Sequence, residues 1–371
     1  MLLKNFINFN PLEKLDNQLY RKFSMDMLNP FSRYIESNNF DIFKGGSKFR
    51  NGDTLFARIT PCLENGKTAY VNSLNDNEVA FGSTEFIVAR AVENVSLPLF
   101  VYYLLCSSKI RNVAIASMIG SSGRERVQQI ALDNIEIPQY SLHTQQHIVD
   151  SIGSVDDASE KNEEIIDKIY SFLTNKFNEL VYGKNTISFG DLKYWNIVKS
   201  GIDKFEGNKI YIDTSSVSNK SIIDTSYNIT YDDRPSRANM QPIPNTVWFA
   251  KLKDSPKFII VKNLSKRILN NYVFSTGFMG LEADDYIINY LYLLILSDNF
   301  NNQKDASSTG ATMMGINNGI LYSIKVPNIA KGDACSFGKE IDNFIEMIIR
   351  LQEKNYILKS IKKNLLSKYF D

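Results

Sequence analysis

Two stretches of the chain place their hydrophobic positions on a strict 4,3 spacing. The first runs through Ile148, Ile152, Val155, Ser159, Asn162, Ile166, Ile169, Leu173, Lys176 and Leu180. The second runs through Phe337, Ile341, Phe344, Ile348, Leu351, Asn355, Leu358, Lys362, Leu365 and Tyr369, and is the first shifted by 189 residues. A period of 3.5 lines up one apolar seam, which is useful only when another helix covers it. The spacing predicts two long helices, over 141–183 and 331–371, that cover each other. Gly183 supplies the stop signal of the first. The alternative is two amphipathic helices, each packed on its own domain. Charge favours mutual packing. Between Gln145 and Tyr182 there are eight acids and three lysines, a net −5; between Lys331 and Asp371 there are eight bases and six acids, a net +2.

Outside the helices the pattern changes to short β-like runs with Gly and Asn between them. Asp53 to Thr60, Thr68 to Asn72 and Glu85 to Arg90 read as strands, Leu99 to Ser107 as a helix opened by Pro98, and Ile130 to Pro138 as a final strand. Val247 to Lys253 and Phe258 to Val261 repeat the strand signal, and Asp284 to Ser297 repeats the helix. The two halves also share short motifs. Leu55-Phe56-Ala57-Arg58 returns as Trp248-Phe249-Ala250-Lys251, and Ser83-Thr84-Glu85-Phe86 as Ser275-Thr276-Gly277-Phe278. Ser121-Ser122-Gly123 returns as Ser308-Thr309-Gly310, and Ile137-Pro138 as Val326-Pro327. A repeat of half the chain is too long for a solenoid unit. It predicts two domains of one fold, residues 1–140 and 184–330, each followed by a helix. Strands with occasional helices, lacking regular βα units, predict an α+β class with largely antiparallel sheets.

Composition narrows the function by exclusion. The chain has 371 residues, 43% of them hydrophobic, enough for two or three cored domains. Its net charge of +1 gives no global basic field, so any nucleic-acid surface is local. Cys62, Cys106 and Cys335 are few, odd in number and far apart, which suits reduced thiols in a cytosol. No signal-peptide pattern opens the chain, and its longest apolar run, Tyr286 to Leu296, is about half a membrane span.

Catalytic motifs are sparse. His143 and His147 stand one helical turn apart but have no evident third metal ligand. There is no glycine-rich dinucleotide or phosphate loop. Asn29-Pro30-Phe31 lacks the second proline of an amino-methyltransferase motif. The adjacent carboxylates Asp232-Asp233 and Asp284-Asp285 diverge on any regular element. These features describe a binding protein.

Two polar segments suit an anionic partner. Leu55 to Lys67 places Arg58 on a strand and Lys67 after a turn closed by Gly66; either cation suits phosphate, and Arg58 also suits a guanine edge. The bland reading is a hairpin with surface charges. Gly120-Ser121-Ser122-Gly123-Arg124-Glu125-Arg126 gathers exposed amides, hydroxyls and two arginines, against the bland reading of a flexible turn. In the second copy Arg124 and Arg126 give way to Ala311 and Met313, and Glu85 to Gly277. Similar frames with different polar side chains suit two different DNA words. Helices of about 40 residues reach roughly 60 Å, ample for two half-sites on one face of DNA. The candidate DNA-binding residues are therefore Arg58, Lys67, Ser83, Thr84, Ser121, Ser122, Arg124 and Arg126 in the first copy. In the second they are Lys251, Lys257, Ser275, Thr276, Ser308 and Thr309.

At these residues the chain resembles the specificity subunit of type I restriction–modification enzymes. Gly52 to Lys67 followed by Gly82-Ser83-Thr84-Glu85-Phe86 looks like that family's first-domain signature. Ser121-Ser122-Gly123-Arg124, Ile137-Pro138, Leu142, Gln146 and Ile148 look like its border between recognition domain and helix. The resemblance implies two target recognition domains separated by two antiparallel coiled-coil helices. It implies double-stranded DNA, two methyltransferase subunits and outer restriction subunits as partners, in the cytoplasm and away from membrane. It also implies no cofactor in this chain: S-adenosylmethionine would belong to the methyltransferase, and ATP and magnesium to the motor–nuclease. The chain departs from the family in having Gln145-Gln146 in place of Glu-Gln, and in starting close to its first motifs, without the usual opening strand and short helix. Its second copy also lacks the Pro-Cys-Leu-Glu-Asn-Gly run. A type IIB recognition subunit and a coiled-coil interaction protein unrelated to DNA remain alternatives.

Overall fold

The computed structural model describes residues 1–223, 225–310 and 314–371. Ten α-helices are seen among them: α1 (Pro98–Cys106), α2 (Ser108–Ala116), α3 (Gln129–Asp133), α4 (Leu142–Val181), α5 (Lys266–Asn271), α6 (Ile287–Leu296), α7 (Asp298–Ala306), α8 (Asn318–Ser323), α9 (Lys331–Glu340) and α10 (Asp342–Phe370). No single helix among the described residues is long and apolar enough to cross a membrane. The chain forms two compact units, Met1–Lys161 with Asn355–Asp371, and Asn162–Lys354.

In the first unit an antiparallel sheet runs in the order Ile7–Phe9, Phe86–Ala91, Thr54–Ala57, Thr68–Tyr70. A second sheet runs Phe40–Ile42, Leu19–Phe23, Val79–Gly82, Ser47–Arg50, with its middle pair parallel. The second unit repeats both. Trp195–Ile197, Phe278–Ala283, Thr246–Ala250 and Phe258–Val261 form the antiparallel sheet. Asn228–Ile229, Lys209–Ile212, Tyr272–Ser275 and Ala238–Met240 form the other, again with a parallel middle pair. The expected α+β class, with two sheet-rich parts and a long helix between them in the chain, is the observed one.

The central strands read as continuous apolar runs because each divides two cores. Phe56 packs with Ile87, Phe100 and Leu104 on the helix side, while Leu55 packs with Phe23, Phe49 and Val88 on the other. In the second unit Val247 and Phe249 join the helix-side core, and Trp248 joins Ile212, Phe274 and Phe278. Period-two alternation between two dry cores keeps both faces of the strand apolar after its first residue, Thr54 or Thr246. Each such large side chain contributes about 1.5–3 kcal/mol by leaving water.

Three expectations are corrected. Ile130 to Pro138 is not a strand: α3 occupies its start, with Leu132 buried and Ile130 exposed, and only a bridge from Glu136 to Leu2 follows. The chain start captures that segment. Leu3 N donates to Ile135 O (2.8 Å) and Ile137 N to Met1 O (2.9 Å), which leaves a single rung. The same contacts show an opening short helix, Leu3–Asn5, and strand, Ile7–Phe9, where none was expected. The helix expected over 331–371 is interrupted at Ile341. Beyond it Ile345 and Ile349 are buried, and Phe344 moves to the rim, its ring 5.0 Å from that of Phe172.

The seams do pair, and they run antiparallel. In the first unit Asn355 lies against Ser159, Lys362 against Asp156 and Tyr369 against Ser151. In the second, Phe344 meets Phe172 and Lys176 meets Glu340 (3.0 Å). As one helix ascends its partner descends. Buried charge ties the first unit's pair. Lys362 Nζ is 2.7 Å from Asp156 Oδ1, with only 14% and 9% of the two side chains exposed, and Tyr103 donates to the same carboxylate at 3.0 Å. Arg33, almost fully buried, bonds Asp157 and Glu160 on α4. Burial alone would lower the Arg33 pKa, but Glu160 and Asp157 outweigh it and hold the guanidinium charged.

Breaking a buried ion pair costs more than removing both partners. Lys362→Met should therefore destabilise the protein by about 3 kcal/mol, and Lys362→Met with Asp156→Leu by clearly less. Chemical denaturation of both variants checks this; additive losses would show that the two charges do not act as a pair.

Candidate nucleic-acid interface

Three segments meet in the same way in each unit. In the first, the strand ending at Ala57 runs on into Arg58, whose amide donates to Glu85 O (3.0 Å) and whose carbonyl accepts from Val127 N (2.9 Å). The Ser83-Thr84-Glu85 turn is closed by Ser83 Oγ, which accepts from Glu85 N at 3.1 Å. A hairpin is closed by Ile119 and Arg126, which exchange backbone hydrogen bonds of 3.1 and 2.9 Å. In the second unit Lys251 N donates to Gly277 O (3.0 Å) and Lys251 O accepts from Ile316 N (3.0 Å). Ser275 Oγ accepts from Gly277 N at 3.1 Å, and Thr309 and Gly315 close the hairpin with two bonds of 3.0 Å.

This geometry corrects the register of one repeat. Ser121-Ser122-Gly123 and Ser308-Thr309-Gly310 do not correspond. The matching hairpin glycines are Gly120 and Gly310, at φ 156° and 134°, a region open to glycine but not to other residues. Arg126 thus corresponds to Gly315. Ala311 and Met313, the expected counterparts of Arg124 and Arg126, lie outside the described residues.

The frames carry different chemistry. Arg126 forks onto Glu85, with Nε 3.0 Å from both carboxylate oxygens and Nη2 2.6 Å from Oε1, which raises the Arg126 pKa. Both positions become glycine in the second unit, Gly277 and Gly315, so the pair disappears whole. Arg58 reaches Val127 O at 3.5 Å, and its Nε is buried with no hydrogen-bond partner. Ser121, Ser122 and Arg124 are exposed at the hairpin tip. Ser83 and Thr84 line a cleft of about 410 Å³ together with Lys22, Lys44 and Gly46. Lys67 is half-buried, and its ammonium is held by Met25 O at 2.8 Å. Its turn needs Gly66: φ is +81°, and a Cβ there would lie 2.5 Å from the Phe31 ring.

In the second unit Lys251 stands half-buried at the strand end, and burial followed by repulsion from Arg237 lowers its pKa. Lys257 is tied to Thr214 O. Thr276 N donates to Arg237 O at 2.8 Å. Ser275 is buried in its turn, and Ser308 is buried with its hydroxyl on Lys304 O (2.8 Å). Thr309 contributes its backbone to the hairpin. Arg237 was missed from sequence because it sits in an irregular stretch that has no counterpart motif in the first copy.

Residues 14–171 match the family model described as the type I restriction modification DNA specificity domain. The chain is 34% identical over 109 residues to the EcoAI specificity subunit of Escherichia coli, a match covering 29% of this chain and 18% of that protein. It is 32% identical over 145 residues to the HindI specificity subunit of Haemophilus influenzae, covering 38% and 30%. The matched part is thus less than a third of the length of these curated relatives. The solved S subunit of a type I restriction–modification system from M. genitalium shares the fold, with a TM-score of 0.55 at 14% identity, over 100% of this chain and 95% of that one. The first half of the chain thus contains a DNA specificity domain of the type I class. Over these residues the chain is similar to the specificity subunits of type I restriction–modification systems.

Removing the turn hydroxyl should show that the repeated frame is held alike in both units. Ser275→Ala strands the amide of Gly277 in a buried site and should cost about 1 kcal/mol. Ser83→Ala, in a more open turn, should cost less. Denaturation midpoints of the two variants check the order.

Proposed function

We propose that the chain is the DNA-reading subunit of a type I restriction–modification complex, with residues 1–140 and 184–330 as two target recognition domains. The observation that carries this reading is one backbone frame built twice with different polar side chains. Base edges are discriminated by side chains, while phosphate contacts fix position. A frame repeated with altered side chains reads two words at one docking geometry. In the first domain Arg58 has a donor without a partner and suits a base edge, and Thr84, Ser121, Ser122 and Arg124 present exposed donors to the backbone. Lys67, Ser83 and Arg126 shape the same face. In the second, Lys251 supplies a cation at the same strand end and Thr276 a turn hydroxyl, with Lys257, Ser275, Ser308 and Thr309 holding the frame.

The chain performs no bond-making step itself in this reading. The paired helices carry the methyltransferase subunits, which bring S-adenosylmethionine and methylate adenine, and restriction subunits bring ATP, magnesium and cleavage. The complex works in the cytoplasm.

Exchanging residues 184–330 for the same segment of a related subunit should change one half of the recognised sequence and leave the other intact. Methylome sequencing of a strain carrying the hybrid reads this, and a hybrid altering both halves together would overturn the two-reader account. Arg58→Ala should weaken binding by about 1–3 kcal/mol, with the loss confined to one half-site. A filter-binding series of substituted duplexes measures it; equal losses on all duplexes would place Arg58 on phosphate instead.

A further inference from the structure

The second unit gathers positive charge at the place where the first unit neutralises it. In the first, Arg126 is capped by Glu85 in a two-pronged ion pair. In the second, the corresponding positions are Gly315 and Gly277, and another arginine arrives from a different element. Arg237 precedes the strand Ala238–Met240, and its backbone carbonyl accepts from Thr276 N at 2.8 Å. Its guanidinium comes across Gly277: a Cβ built on that glycine would lie 3.1 Å from Arg237 Nη2 and 3.3 Å from Ser275 Oγ. Lys251 is bonded through its amide to Gly277 O at 3.0 Å, so its side chain starts from the same spot. Neither cation makes an ion pair among the described residues. Two like charges near one glycine, one of them half-buried, repel each other, and an anion between them would relieve that repulsion.

We propose that Arg237 and Lys251 form a clamp for one phosphodiester group of double-stranded DNA, with Gly277 kept free of a side chain so that the phosphate can approach the turn. This rests on the reading of the chain as a DNA-binding subunit. It adds a residue, Arg237, that no repeated motif marks. It also gives the turn of the second unit a net positive charge that the first unit's turn lacks, since the Arg126–Glu85 pair there carries none. A phosphate neutralised by two cations releases counterions, so the clamp is read through salt dependence.

The test is binding of the full chain to a random-sequence duplex across a series of salt concentrations. Arg237→Gln and Lys251→Gln should each lower the log–log salt slope by about one, on every duplex alike. Arg237→Lys should keep the wild-type slope, which a purely structural role for the guanidinium would not require. Gly277→Glu should reproduce the first unit's neutralised arrangement and lower the slope as Arg237→Gln does. Slopes unchanged in both glutamine variants, with wild-type binding intact, would overturn the clamp alone. A wild-type chain that binds no duplex at any salt would overturn the DNA-reading function and the clamp with it.

Discussion

The pairing of α4 with α9 and α10 is the constraint on which the rest of the molecule depends. A helix of 40 residues with an apolar stripe cannot stand alone in water, because its seam must be covered. Ile148 and Ile152 complete the helix-side core of the first unit, together with Phe370. Ile166, Ile169, Leu173 and Phe177 complete that of the second, together with Phe337, Ile345 and Ile348. Each sheet therefore packs its helix-side face on a core that the paired helices help to build. The units part within both helices, between Lys161 and Asn162 and between Lys354 and Asn355, where the stripe turns polar at Ser159, Asn162 and Asn355. Apolar layers provide burial, and the charged contacts Arg33–Glu160 and Lys362–Asp156 select one register from those that burial alone would allow.

Much of this was legible because the signals are periodic. The 4,3 spacing located α4 within two residues at either end, and Pro98 and Gly183 marked a helix start and a helix stop as their backbone preferences require. The apolar runs around Phe56 and Phe249 were legible as strands for a different reason: they divide two cores, so both faces are apolar beyond the opening threonines Thr54 and Thr246. Non-local pairing was not legible. Nothing within Ile130 to Pro138 says that Met1 and Leu3 will supply its hydrogen bonds, and its alternation looked like a strand that the fold does not build. The break at Ile341 was hidden for a similar reason, since the heptad continues through it in sequence.

The candidate site was legible in position and less so in role. The motifs at Arg58, Ser83 and Gly120 do converge, because the strand end, turn and hairpin are joined by backbone hydrogen bonds that any side chains would permit. What each side chain does depends on neighbours that sequence spacing cannot supply. Lys67 looked free and is held by a carbonyl; Ser308 looked like a loop hydroxyl and is buried against α7. The hairpin register slipped because serine and glycine recur within a few positions, and the backbone bonds of Ile119 with Arg126 and of Thr309 with Gly315 fix Gly120 and Gly310 as the corresponding glycines.

That corrected register changes how the two copies are understood to have diverged. With Arg126 set against Gly315 and Glu85 against Gly277, the two members of an ion pair are absent together. Losing one alone would have left either an unpaired carboxylate facing an anionic ligand or an arginine without its orienting partner. Losing both leaves a bare backbone frame, and Arg237 then occupies space that a side chain at 277 would contest. The backbone bonds of Arg58 and Lys251 to the facing turn are the same length, 3.0 Å, in both units. The frame therefore tolerates opposite electrostatic choices at its centre. This is what a scaffold must do if recognition is to change from one domain to the other while the fold that presents it stays fixed.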